Sequence, residues 1–191
     1  MRVPPPSGWM WSPVADPRLG GRVLREVVFD EQAIQSRVAE LGRELTAAYP
    51  DGDLLVIGAL KGSFVFLADL VRRIERPLQI DFLVATSYGR GTVSSGEVRL
   101  LYEPATPLAD RHILLVEDII DSGRTLASLV DRLRSRGPRS LAICALLDKR
   151  IAPPLPEIRF VGFAAPTKFL VGYGLDHAED FRHLPYIAEL A

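Results

Sequence analysis

With 191 residues, 23 basic and 24 acidic side chains and a formal net charge of -1, the chain suits one compact domain and lacks the cationic excess that nucleic-acid binding through phosphate neutralisation needs. No apolar run reaches the roughly 20 residues of a membrane span, and the opening Met1-Arg2-Val3-Pro4-Pro5-Pro6 carries no apolar signal stretch, so a cytoplasmic protein without a membrane partner is expected. The lone cysteine, Cys144, sits in the apolar run 143–147, which excludes an intrachain disulfide and reads as a buried core thiol.

Residues 1–21 hold Pro4, Pro5, Pro6, Pro13 and Pro17 beside Trp9 and Trp11. That composition disfavours both helix and central strand, so a loosely ordered extension is expected, with the folded domain at 22–191. Asp30 then suits the cap of a helix in which Ile34, Val38, Leu41 and Leu45 form one stripe, ended by Pro50 and Gly52. The run Leu54 to Leu60 is continuously apolar, as in a strand covered on both faces, and Phe64 to Ile74 returns to helical spacing. Leu78 to Thr86 and His112 to Val116 read as further strands. Thr125 to Arg136 reads as a helix closed by Gly137-Pro138, followed by a strand from Ser140 to Leu147. The stretch 88–96 is small, polar and glycine-rich, which suits either a mobile cover or a hairpin tip between Leu83 and Val98. Strands alternating with helices imply an α/β domain with a mainly parallel, twisted sheet flanked by helices, whose ligands bind beyond the carboxyl ends of the strands.

Three post-strand loops then attract notice: Lys61-Gly62-Ser63, the segment from Glu117 to Thr125, and Lys149. The second is the most informative. A buried strand delivers two adjacent acids, Glu117 and Asp118, then Asp121, Ser122, Gly123, Arg124 and Thr125 lead into a helix. Amides at a helix start favour an anion, the Ser122 and Thr125 hydroxyls add donors, and Gly123 permits close approach. The paired carboxylates offer hard oxygen ligands for sugar hydroxyls or hydrated Mg²⁺, and two like charges at a strand end are costly without a cation between them. A phosphorylated sugar meets all of these terms. His112, His177 and His183 have no metal-ligand spacing.

The segment Val116-Glu117-Asp118-Ile119-Ile120-Asp121-Ser122-Gly123 resembles the phosphoribosyl pyrophosphate (PRPP) signature of type I phosphoribosyltransferases, in wording close to their hypoxanthine-guanine branch. The resemblance runs from about Val27 to Leu190 and includes Leu60-Lys61-Gly62-Ser63, Thr86-Ser87-Tyr88-Gly89, Leu147-Asp148-Lys149, Lys168-Phe169 and Val171 to Asp176. It implies the family's fold, with a small hood built from the chain ends. It also implies transfer of the 5-phosphoribosyl group from PRPP to hypoxanthine or guanine, giving IMP or GMP and pyrophosphate; a xanthine-preferring enzyme and a nucleotide-sensing RNA-binding regulator on the same fold are the alternatives.

Carried over by motif, the resemblance implies that Glu117 and Asp118 hold the ribose hydroxyls and their metal, while Asp121, Ser122, Gly123, Arg124 and Thr125 cradle the 5′-phosphate. Asp121 becomes the proton acceptor near N7 of the base. Lys61, Gly62 and Arg182 bind pyrophosphate, in a loop whose Leu60–Lys61 bond is often cis in the family. Lys149 donates to the purine 6-oxygen, Phe169 stacks on the base, and Leu170 and Val171 present backbone groups to its edge. Asp176 joins the purine-binding residues and serves a second metal or its waters, although alone it would equally cap a helix running through Phe181. Ser87 and Tyr88 begin the closing lid. Mg²⁺ is the implied cofactor, and a homodimer or homotetramer the implied assembly. Arg124, Thr167 and Leu170 depart from the residues commonly found at their places, the last two beside the purine pocket.

Overall fold

The computed structural model describes residues 16–87 and 98–191. In chain order its elements are β1 (Leu24–Phe29), α1 (Glu31–Ala48), β2 (Leu54–Leu60), α2 (Phe64–Val71), β3 (Gln79–Ser87), β4 (Val98–Tyr102), β5 (His112–Ile120), α3 (Arg124–Arg134), β6 (Ser140–Asp148), β7 (Ile158–Ala164), β8 (Leu170–Val171) and β9 (Ile187–Leu190). A six-stranded sheet in the order β4-β3-β2-β5-β6-β7 forms the body. All its neighbours pair in parallel except β3 with the edge strand β4. This is the α/β architecture that alternating helices and strands imply.

The central strands carry long apolar runs because both faces are covered. Along β2 and β5 successive side chains point to opposite sides. Val56, Leu114 and Val116 join the stripe of α1 and the buried residues of α2 in one cluster. Leu55, Ile57, Ile113 and Leu115 meet α3 in the other. Asp30 caps α1 as expected, its Oδ1 accepting from the Ala33 amide at 2.7 Å. Ile34, Val38, Leu41 and Leu45 are all fully buried. On the far face Leu126, Leu129, Val130 and Leu133 anchor α3, each burial contributing roughly 1.5–3 kcal/mol before conformational entropy is counted. Cys144 is buried in the first cluster, where burial pushes its thiol pKa up.

Two expectations need correction. β5 continues four residues past Val116, because Glu117, Ile119 and Ile120 stay in register with Ala145, Leu147 and Asp148 of β6. Glu117 and Asp118 therefore stand on the strand itself and not in the loop after it. Residues 16–21 are also more ordered than their composition suggests. Pro17–Leu19 form a 3₁₀ turn, Leu19 is 2% exposed, and the Tyr186 hydroxyl donates to Asp16 at 2.9 Å.

That turn packs on the hood, a second sheet in the order β1-β9-β8 whose core unites Leu19 and Leu24 with Val171, Phe181, Leu184, Tyr186 and Ala188. The first and last strands of the described residues thus pair with each other, and Leu170, Leu175 and Ile187 carry the hood into the body core. Among the described residues, no helix is long and apolar enough to cross a membrane.

Candidate active site

The expected loops emerge at one end of the body sheet because β2, β5 and β6 run in parallel. β2 delivers Lys61-Gly62-Ser63, β5 delivers the acids and the turn 121–123, and β6 delivers Lys149. The Lys149 amide donates to the Ile120 carbonyl at 3.0 Å, which fastens the end of β6 to the end of β5.

The turn after β5 lines a small cavity of about 110 Å³, open to solvent and bordered by residues that include Glu117, Ile119, Ile120, Asp121, Ser122 and Thr125. Gly123 begins α3 with φ +72, and a side chain there would also come within 2.8 Å of the Ala152 Cβ. Both conditions select glycine. No side chain caps the start of α3. Its first amides remain available to an anion, with the helix dipole behind them. Asp121, Ser122 and Arg124 are exposed and Thr125 half-buried at the same mouth.

Lys149 reaches across this mouth, its Nζ 3.0 Å from Asp121 Oδ2. The lysine side chain is 12% exposed and the carboxylate 56%, so the pair joins a sheltered cation to an accessible acid. Phe169 is 55% exposed and makes a T-shaped contact with the His177 ring, at 5.6 Å between centroids. An aromatic ring this exposed can stack on a planar ligand. Leu170 and Val171 are buried, the first in the body core and the second in the hood, so they can offer a ligand only backbone atoms.

Behind the turn, Asp118 Oδ1 accepts from the Ile119 amide at 2.8 Å. Its other oxygen lies against the β2 loop: a Cβ on Gly62 would sit 1.6 Å from Asp118 Oδ2. Gly174, at φ +101, is equally constrained, since a Cβ there would stand 2.1 Å from the Gly62 carbonyl oxygen. Two glycines therefore let the 174 backbone approach that of Gly62, and let the Asp118 carboxylate close on Gly62. The Leu60–Lys61 peptide bond in this loop is cis.

Arg182 is held above the same loop, donating to the Gly174 carbonyl at 2.8 Å and pairing with Asp176 at 2.9 Å. Asp176 does not cap a helix. Its Oδ2 accepts from the Glu179 amide at 2.9 Å, and residues 177–180 form a tight turn with Ala178 at φ 53 and Glu179 at φ 67. Glu179, which sequence spacing did not single out, pairs with Lys61 at 2.9 Å. Of the expected lid, Ser87 closes β3 opposite Val98, and Tyr88 lies outside the described residues.

Burial raises the pKa of the Glu117 carboxyl, and the neighbouring Asp118 raises it further. Asp118 is also raised, by burial first, against the pull of the Ile119 amide. Two acids in this condition have unmet affinity for a cation. Among the described residues, however, no group of three His, Cys, Asp or Glu side chains could by itself hold a metal ion. Glu117, Asp118 and Asp176 thus form no common cage. The donor set fits a hard cation that takes one or two carboxylates and completes its shell with water and ligand oxygens, as Mg²⁺ does.

A family model described as the phosphoribosyl transferase domain matches residues 25–178. The chain belongs to the phosphoribosyltransferase family. A hypoxanthine phosphoribosyltransferase of Escherichia coli K12 is 44% identical over 169 residues, which are 86% of this chain and 94% of that protein. The bifunctional protein TilS/HprT of Listeria innocua is 46% identical over 168 residues, 87% of this chain; the chain spans only about a quarter (26%) of that relative's length. A crystal structure of a hypoxanthine phosphoribosyltransferase from Staphylococcus aureus matches with a TM-score of 0.84 and 42% identity, over 88% of this chain and 92% of that one.

Proposed function

We propose that this phosphoribosyltransferase is a purine salvage enzyme that moves the 5-phosphoribosyl group from PRPP to hypoxanthine or guanine, giving IMP or GMP plus pyrophosphate. The observation that carries this reading is the Lys149–Asp121 pair, 3.0 Å apart at the mouth of an uncapped helix turn. An ammonium offers donors only, which suit the carbonyl at position 6 of an oxopurine and not the amino group of adenine. Beside it Asp121 can accept a base proton, and the turn can hold the phosphate of the same nucleotide. Family membership and the identities above support the same activity.

In this reading Ser122, Gly123, Arg124 and Thr125 bind the 5′-phosphate, and Glu117 and Asp118 take the ribose hydroxyls. Phe169 stacks on the base, while the Leu170 and Val171 backbones meet its edge. The base nitrogen displaces pyrophosphate at the anomeric carbon as positive charge develops on the ribose. The acids beneath the sugar stabilise that charge, and Lys61, Gly62 and Arg182 receive the departing pyrophosphate. Asp121 takes the proton the base loses on bonding. Glu117 and Asp118, and separately Asp176, would hold Mg²⁺ with the help of substrate oxygens, and its charge would assist pyrophosphate departure. Ser87 and Tyr88 would open the segment that covers the site against water. Work in the cytoplasm as a homodimer or homotetramer completes the proposal, supported by sequence resemblance; light scattering tests the assembly.

Pyrophosphate release from PRPP should be followed with hypoxanthine, guanine, xanthine, adenine and uracil in turn. Hypoxanthine and guanine are expected to support it and adenine and uracil not. Preference for xanthine would shift the substrate assignment, and silence with all five would overturn the enzymatic reading in favour of a regulator.

A further inference from the structure

Lys61 and Arg182, which the proposed function assigns to pyrophosphate, already share one carboxylate oxygen. Glu179 Oε2 lies 2.9 Å from Lys61 Nζ and 3.5 Å from the Arg182 guanidinium. One oxygen between two cations is the arrangement a phosphate oxygen would adopt there. These two cations also hold the Glu179 pKa below the ordinary carboxylate value, Lys61 foremost.

The backbone fixes this placement. His177 and Asp180 bond to each other in both directions, at 3.3 and 3.1 Å, leaving Ala178 and Glu179 as a two-residue turn with both φ values positive. Such turns favour Asn-Gly, so a glutamate at the second place runs against local preference. The turn is tied from behind as well. Arg22 pairs with Asp180 and lies 4.7 Å over the Phe181 ring.

Glu179 is nevertheless free to leave. Its side chain is 65% exposed and that of Lys61 66%, so their attraction is screened and worth little. Arg182 is different, at 18% exposed, with its Nε buried and without a partner among the described residues. Its bond to the Gly174 carbonyl and its pairing with Asp176 hold it independently of Glu179.

We infer that Glu179 is an exchangeable internal counter-ion of the pyrophosphate subsite, competing with the diphosphate of PRPP for Lys61 and Arg182 and thereby weakening its hold on PRPP and on released pyrophosphate. This rests on the assignment of those two cations to pyrophosphate. The same competition aids product departure, because the carboxylate takes back both cations as pyrophosphate leaves. It makes Glu179 a positioning residue that acts through Lys61 and Arg182, not a catalytic one.

Calorimetric titration of the full chain with pyrophosphate in the presence of magnesium tests this. Glu179→Gln should bind about two- to fivefold more tightly than wild type, the range an exposed ion pair supports. Glu179→Gly, which suits φ 67 without strain, should show the same gain. The gain should shrink as salt rises and shrink again in a Lys61→Ala background, where only Arg182 is left to compete for. In steady state the KM for PRPP should fall while the KM for the base stays fixed. Unchanged or weaker pyrophosphate binding in both Glu179 variants, with Lys61→Ala and Arg182→Ala each weakened, would overturn the counter-ion and leave the subsite standing. Undiminished binding in Lys61→Ala and Arg182→Ala would remove the subsite assignment and the counter-ion with it.

Discussion

Lys149 gains its chemical meaning from what surrounds it. At 12% exposed and 3.0 Å from Asp121, it is a charge sheltered enough to select its partner and close enough to an acid to be oriented by it. Lys149→Ala should raise the KM for hypoxanthine roughly tenfold or more, the loss expected for a hydrogen bond from a charged donor, and should spare the KM for PRPP. Asp121→Asn keeps the shape and removes the proton acceptor. Its turnover number should fall at least a hundredfold with little change in either KM, since general-base groups contribute at about that level. Equal effects of both substitutions on KM and kcat would show that the two side chains merely hold the loop. Both residues were legible in the sequence because each follows a strongly patterned strand. Glu179 was not. Its partner Lys61 lies 118 positions away, and the turn of positive-φ residues that aims it has none of the glycine or asparagine that would have announced it.

β5 and the loops beside it form the element on which the site is built. Its buried run ends in two acids that the sequence reading placed in a loop; apolar pattern stops at Val116, but backbone pairing with β6 does not. Periodicity sees side chains and misses the ladder. That also explains why β1, β7, β8 and β9 went unassigned: they are short, or their exposed faces interrupt the pattern, as the burial along β1 and β7 shows. Holding Glu117 and Asp118 on the strand has a measurable cost. A carboxyl whose pKa is raised on folding contributes stability below its unfolded value, near pH 4, and that contribution is lost as pH rises through the folded value. In a chelator the melting temperature should therefore fall from pH 4.5 to pH 8, and Glu117→Gln should flatten the decline. Added magnesium should raise the melting temperature more at pH 8 than at pH 5, where the acids are more often protonated. A magnesium shift independent of pH, or unaltered in Glu117→Gln, would disconnect this pair from the metal.

At the scale of the whole molecule, the body and hood divide the work. The body sheet supplies the anion turn, the acids and Lys149, while Phe169 just before β8 and Asp176 and Arg182 between β8 and β9 come from the hood side. The alternation of helices and strands made the body legible; the hood was legible only through family resemblance, since its sheet joins β1 to β8 and β9 across most of the chain. Its core also includes Leu19, from a segment whose prolines suggested looseness. Proline stiffens as well as breaks, and here Pro17 opens a 3₁₀ turn that sets Leu19 inward. Leu19→Ala should lower unfolding free energy by about 2–4 kcal/mol in denaturant titration, as for a buried leucine, while a loss below 0.5 kcal/mol would mean the docking contributes nothing. The proposed function requires one ribose phosphate to be gripped by the turn from Asp121 to Thr125 while its base meets Lys149. A crystal structure with IMP and magnesium tests it most directly. The 5′-phosphate is expected on the first amides of α3, with the purine 6-oxygen within hydrogen-bond reach of Lys149 Nζ. A nucleotide bound with that turn empty, or with its base remote from Lys149, would contradict it.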